Sequence, residues 1–179
     1  EFVLRIAGDS NDWQGIDVSA QNATDQGSVS TKPINYKAQY DAVNVIFDGS
    51  KPAQIYTQTE NSAGTDQYSY LNAESTLQFD IRMHQQPTKK LTLAQHCIYP
   101  CQGRLELNGS LPTNTSEWST MKIPLACFKG KGVDFQKLNT PFLFVTEGKA
   151  QFDLGNIRLV PKSIDAAASA LSCEALSGE

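Results

Sequence analysis

No run of lysine or arginine occurs in this chain of 179 residues, which has a formal charge of −4 and a pI near 5.2. The cationic surface that neutralises nucleic-acid phosphates is therefore missing, and nucleic acid is excluded as an expected partner. No apolar stretch approaches the ~20 residues needed to cross a bilayer as a helix, and the first residues lack the basic, then apolar, then small-residue order of a signal peptide. No membrane partner is expected. A Gly-rich phosphate loop, a G-x-S-x-G elbow and an H-E-x-x-H zinc motif are all absent. The only histidines are His84 and His96, and they form no Ser–His–acid pattern. Carboxylates such as Asp80, Glu106, Asp134 and Asp153 are scattered along the chain, and nothing in their spacing brings two of them together across a sugar. The chain reads as non-catalytic and without a cofactor.

What is present is period-two patterning. Leu77, Phe79, Ile81 and Met83 alternate with Gln78, Asp80 and Arg82, as in a strand with one face in a core and one in water. Weaker alternation covers Phe2 to Ile6, Val43 to Phe47, Gln54 to Gln58, Leu91 to Leu93, Arg104 to Leu107 and Phe142 to Val145. After Trp118 the apolar set Met121, Ile123, Leu125 and Cys127 continues the pattern, although Pro124 cannot donate to a ladder and marks an edge or an exit. Near the C-terminal end, Phe152 and Leu154 lie in one phase and Ile157 and Leu159 in the other, which predicts a bulge at Gly155-Asn156. Helical turns are expected only over Val133 to Asn139 and Ser163 to Leu176. Short strands joined by turns, without βαβ alternation, predict an all-β antiparallel sandwich or jelly roll. One domain over residues 1–160 would be followed by an Ala/Ser-rich tail over 161–179, a docked helix or a loose terminus. Because Glu1-Phe2 runs straight into an alternating stretch without an initiator methionine, the chain is expected to be a segment of a longer protein.

Four cysteines are present. Cys97 and Cys101 bracket a turn-forming Ile-Tyr-Pro insert and are expected to form a disulfide in an exported protein, two reduced thiols being the alternative. Zinc is not expected, since one Cys pair and His96 make an incomplete ligand set. Cys127, in the buried phase of its strand, is expected to be a small core residue rather than a nucleophile. Its relation to Cys173 is left open. Sequons at Asn22, Asn108 and Asn114 would ordinarily stay unmodified in a bacterial product.

Alternation also nominates a ligand surface. If the Leu77 set points inward, Gln78, Asp80, Arg82 and His84 face outward, and on the strand from Gln54 to Gln58 the outward residues are Gln54, Tyr56 and Gln58. Were these strands neighbours, their amides, carboxylate, guanidinium and phenol would line a groove suited to sugar hydroxyls and sugar faces, with Tyr56 as the stacking ring. An ordinary solvated sheet face is the bland alternative. Trp118, out of phase with the buried set, either packs under a loop or offers a platform to a sugar ring.

The run EWSTMKIPLACFKGKGVDFQKLNTPFLFVTEGKAQFDLGNIRLV, with CIYPCQGRLEL before it and YDAVNVIFDG earlier, resembles the C-terminal ExoP-like, galactose-binding-like domain of bacterial glycoside hydrolases of family three. The likeness extends to about Val160. It implies a jelly roll appended to the catalytic domains of an exo-β-glucan glucohydrolase, whose acid and nucleophile lie outside this chain. The implied role is a non-catalytic accessory module of a periplasmic or extracellular bacterial enzyme, contacting β-glucan or oligosaccharide weakly, bracing the catalytic domains, or both. A purely structural domain and a stand-alone carbohydrate-binding module are the alternatives. Many related modules hold a structural calcium ion near the closing strand. Here Asp153 is followed by Gly155 and Asn156 where such modules place an acid, so no metal is expected.

Overall fold

A computed structural model describes residues 2–8, 14–60, 63–114, 116–162 and 170–176. Among these, the strands are β1 (Phe2–Gly8), β2 (Gln14–Gly15), β3 (Asn22–Ala23), β4 (Val29–Ile34), β5 (Ala42–Asp48), β6 (Ala53–Thr59), β7 (Thr76–Gln85), β8 (Leu91–Cys97), β9 (Gln102–Glu106), β10 (Ser119–Pro124), β11 (Leu138–Thr146) and β12 (Lys149–Val160). Two short helices, α1 (Tyr68–Asn72) and α2 (Leu125–Lys129), interrupt them. All strand pairs are antiparallel. They form two six-stranded sheets in the orders β2-β1-β6-β11-β8-β9 (sheet A) and β10-β7-β12-β5-β4-β3 (sheet B).

The expected all-β sandwich is what the alternation builds. Ile55 on sheet A and Leu77, Phe79, Ile81 and Met83 on sheet B are fully buried between the layers, and their removal from water is the main force closing the sandwich. Aromatic rings join the sheets: Phe79 of β7 meets Phe142 and Phe144 of β11 at 5.2 and 5.4 Å, edge to face, and Phe144 meets Phe152 of β12 at 5.5 Å. Such edge-on contacts match positive ring edges to negative faces.

Several expectations are corrected. The strand after Trp118 leaves the sheet at Pro124, the exit expected of that proline, but its alternation does not continue as a strand through Leu125 and Cys127. β10 ends at Pro124, whose missing N–H costs the edge nothing, and Leu125, Cys127 and Phe128 reach the core from the helical turn α2 instead. No helix forms over Val133 to Asn139; Val133 and Phe135 are buried by a turn that leads into β11. The first half of the anticipated helix over Ser163 to Leu176 falls outside the described residues; in the second half Glu174–Leu176 make a single 3-10 turn. β4, with Pro33 and Lys32 in it, was not legible as a strand at all.

The bulge near Gly155-Asn156 is present as a register shift between Gly155 and Arg158 against β7. Asn156 takes the left-handed conformation (φ 52°), a residue whose short amide tolerates it. Gly155 instead allows close packing: a Cβ there would sit 3.1 Å from the Cβ of Ala42, tighter than ordinary van der Waals contact.

Cys97 and Cys101 form the expected disulfide. Cys127 is buried, but not as a lone core thiol: it is bonded to Cys173, 46 residues on, and pins the chain beyond β12 to α2. Leu171 adds a backbone bond to Lys122 of β10, so this segment covers that sheet edge.

Candidate functional site

The expected single groove does not form, because its two rows lie in different sheets. Gln54, Tyr56 and Gln58 project from the outer face of sheet A, whereas Gln78, Asp80, Arg82 and His84 project from the outer face of sheet B. Inward residues of both strands meet in the core, so the outward rows point to opposite sides of the sandwich.

On sheet B the polar groups consume one another. Asp80, 1% exposed, accepts hydrogen bonds from Thr120 Oγ1 at 2.8 Å, Tyr36 Oη at 3.0 Å and Arg158 Nη1 at 3.2 Å. Burial alone would raise its pKa, but these donors outweigh it and hold the carboxyl below the ordinary 3.8. Asp153 accepts from Asn44 Nδ2 at 2.8 Å and from Arg82 Nε and Nη2 at 2.8 and 2.7 Å, and His84 Nε2 lies 2.7 Å from it. Arg158 also donates to Gln78. Trp118 completes this arrangement. Tyr36, from the loop between β4 and β5, stacks on its ring at 3.9 Å, Arg82 lies 5.0 Å from the ring centroid, and Lys37 lies 5.1 Å from the Tyr36 ring. This cation and ring stack clamps the β4–β5 loop across the sheet. Of the two readings for Trp118, packing under a loop is the geometry observed.

Sheet A differs. A groove of about 340 Å³ crosses its outer face beside the Cys97–Cys101 turn, lined by Gln54, Gln58, His96, Tyr99, Gln102 and Asn139 over a floor that includes Tyr56 and Leu143. Register explains the assembly: Tyr56 lies opposite Leu143, Thr140 opposite His96, and His96 opposite Gln102, so alternate residues of β6, β11, β8 and β9 share this face. Tyr56 is not an exposed stacking ring. It is 2% exposed and packs with Ala7, Ala94 and Leu143, and burial pushes its pKa up to about 12 against the opposing charge of Arg5. The exposed ring is Tyr99, 93% accessible at the tip of the turn. The side-chain amides of Gln54 and Gln58 have no hydrogen-bond partner among the described residues. His96 bonds to Gln102 but leaves Nε2 unsatisfied, and burial together with the nearby Arg104 charge lowers its pKa, which favours the neutral ring at pH 7. No lining side chain carries a fixed charge.

Sequence reasoning placed Gln54, Tyr56 and Gln58 correctly on one face but missed Tyr99, Gln102 and Asn139 and considered His96 only as a metal ligand. The usable signal for Tyr99 was an aromatic at the centre of a Cys-bounded turn, where no core can take it. No group of three or more His, Cys, Asp or Glu that would suit a metal ion occurs among the described residues.

No curated protein sequence matches the chain. Among solved structures, the extra C-terminal domain (X) of exo-1,3/1,4-β-glucanase (ExoP) from a Pseudoalteromonas species superimposes with a TM-score of 0.71 at 15% identity, covering 95% of this chain and 90% of that domain. Against the whole glucanase the TM-score is 0.70 at 14% identity, and the match spans only 20% of that enzyme's length. The family 30 carbohydrate-binding module of the cellulosomal cellulase Cel9D-Cel44B of Clostridium thermocellum superimposes with a TM-score of 0.65 at 12% identity, covering 91% of this chain and 94% of the module. These identities establish a shared fold. The profile of a family of galactose-binding-like domains, Exop_C, matches residues 5–159, and with most of its length so covered the chain belongs to that family.

Proposed function

We propose that this domain is a non-catalytic accessory module of a family three glycoside hydrolase, exported to the periplasm or beyond the cell, and that it holds β-glucan weakly in the groove on sheet A. The observation that carries the reading is the contrast between unused hydrogen-bonding capacity and an exposed ring: the Gln54 and Gln58 amides line the groove, and Tyr99 stands at its edge. Sugar recognition needs both, since hydroxyls take amide bonds and the C–H face of a pyranose packs on an aromatic ring. A groove without fixed charge suits a neutral polymer. One ring and an open groove correspond to millimolar binding, about −4 kcal/mol. Its likeness in fold to the X domain and to the family 30 module supports the reading. NMR titration of labelled protein with cello- and laminari-oligosaccharides tests it. Shifts should gather at Gln54, Gln58, His96 and Tyr99; no shifts at saturating sugar, or shifts confined to sheet B, would refute the site.

A bracing role is a second reading, supported by Val18 and Tyr40, which are exposed beside a slot of about 240 Å³ lined also by Phe2, Leu4 and Ile157. Apolar surface of this kind suits contact with another domain. Comparing the parent enzyme with and without residues 1–160 separates the readings: loss of a brace lowers stability and yield, and loss of a sugar contact raises the apparent KM for long glucans.

A further inference from the structure

Tyr99 is almost wholly exposed, so it has no packing contacts to set its position. Its neighbours Ile98 and Pro100 are also exposed, which leaves the backbone of the turn as the only means of holding the ring over the groove. That turn is closed by two backbone hydrogen bonds, Cys97 N to Cys101 O at 3.0 Å and Cys101 N to Ile98 O at 3.1 Å. Cys101 is partly exposed, and a backbone bond there opens to water more readily than one in the core. The third closure is the disulfide, with a Cα separation of 5.0 Å, and it joins the turn to the body of the protein. Cys97 is buried in the main core, and its sulfur accepts a hydrogen bond from Asp134 N at 3.4 Å. Both half-cystines line the groove.

A bridge between residues four apart restricts the unfolded chain far less than one between residues 46 apart, so the ordinary stabilising work of a disulfide falls mainly to Cys127–Cys173. We infer that the Cys97–Cys101 disulfide is a positioning element of the sugar groove: it holds the Tyr99 ring at the rim, and its reduction to two thiols weakens glucan binding while the fold persists. The step consumes a dithiol reductant, which is oxidised to its own disulfide as two electrons and two protons pass to the cysteines. This inference rests on the sheet A groove being the glucan site.

Two variants, C97S/C101S and C127S/C173S, titrated with cellotetraose and laminaritetraose and melted in parallel, test it. C97S/C101S should lose about tenfold in affinity with a small change in Tm, and C127S/C173S should keep its affinity with a large drop in Tm. If the unaltered protein binds neither sugar in the groove, the groove reading fails, and this inference with it. If it binds and C97S/C101S binds equally well, the inference alone fails. Should C97S/C101S not fold, 15N relaxation of the native protein before and after mild reduction decides: the amides of Ile98, Tyr99 and Cys101 should become mobile on the nanosecond scale, and unchanged order there would overturn the inference.

Discussion

The outer faces of the two sheets carry similar residue types and use them in opposite ways. On sheet B, Asp80 and Asp153 are buried carboxylates ringed by Thr120, Tyr36, Arg158, Asn44 and Arg82, so nearly every donor has an acceptor within the protein. On sheet A, the amides of Gln54 and Gln58 lie beside an exposed tyrosine without such partners. A buried charge costs several kcal/mol unless it is paired, so the first face must be built as a closed network. Neutral amides at a groove wall remain hydrated and carry little penalty when unpaired within the protein. The presence of polar residues on an outer face therefore does not identify a binding surface; whether their bonds are already taken does.

The largest effect expected from breaking this contrast is at Asp80. Asp80→Ala strands Tyr36, Thr120 and Arg158, and urea unfolding should report a loss of about 3 kcal/mol, at the low end for a broken buried pair because Arg158 is partly exposed. Sugar titration of the folded fraction should be unaltered. A loss below about 1 kcal/mol would mean that this face is held by something other than its carboxylates. Trp118→Ala should follow, at about 2 kcal/mol, since it removes a half-buried ring from the stack with Tyr36 and Arg82. Binding at sheet A that falls together with stability in this variant would show that the two faces are coupled.

Tyr99→Ala should behave in the reverse way. Its stability should change by less than about 0.5 kcal/mol because the ring packs on nothing, while oligosaccharide affinity should fall about tenfold as the stacking surface, worth roughly 0.5–1.5 kcal/mol, is lost.

The smallest effect concerns pH. His96 has a lowered pKa in the fold, so between the ordinary value of 6.5 and that lower value the unfolded chain binds the proton and the folded chain does not. Stability is then fully present above 6.5 and declines as pH falls through this window. His96→Gln should flatten that slope in unfolding curves measured from pH 7 to 5. Asp80 contributes in the same direction at lower pH: its carboxyl is held below 3.8, and its share is lost as pH falls through the folded value.

Alternation along the chain was enough to determine the layers, the inward sets on β5, β6 and β7, and the polarity of both outer rows, because one buried face imposes a period of two regardless of which strand lies next door. The change of phase after Leu154 also located the bulge, and the Ile-Tyr-Pro insert located the turn between Cys97 and Cys101. Local pattern failed at α2, where Leu125 and Cys127 keep strand spacing yet reach the core from a helix: a short run that satisfies burial in either conformation is decided by Pro124 and by the space available beside β9. It failed more completely for the site. Which rows become neighbours depends on strand order, and β6 and β7, the rows that were paired in expectation, are consecutive strands assigned to different sheets. Only the tertiary structure decided that Asp80 is spent on Tyr36, Thr120 and Arg158, Arg82 on Asp153, and Trp118 on Tyr36 and Arg82, that Tyr56 is a floor, and that Tyr99, in a turn with no periodicity to mark it, stands open beside Gln54 and Gln58. Hydrogen bonds between residues such as Asp80 and Arg158 or Asn44 and Asp153 join positions 78 and 109 apart in the chain, and no local pattern records a bond over that distance.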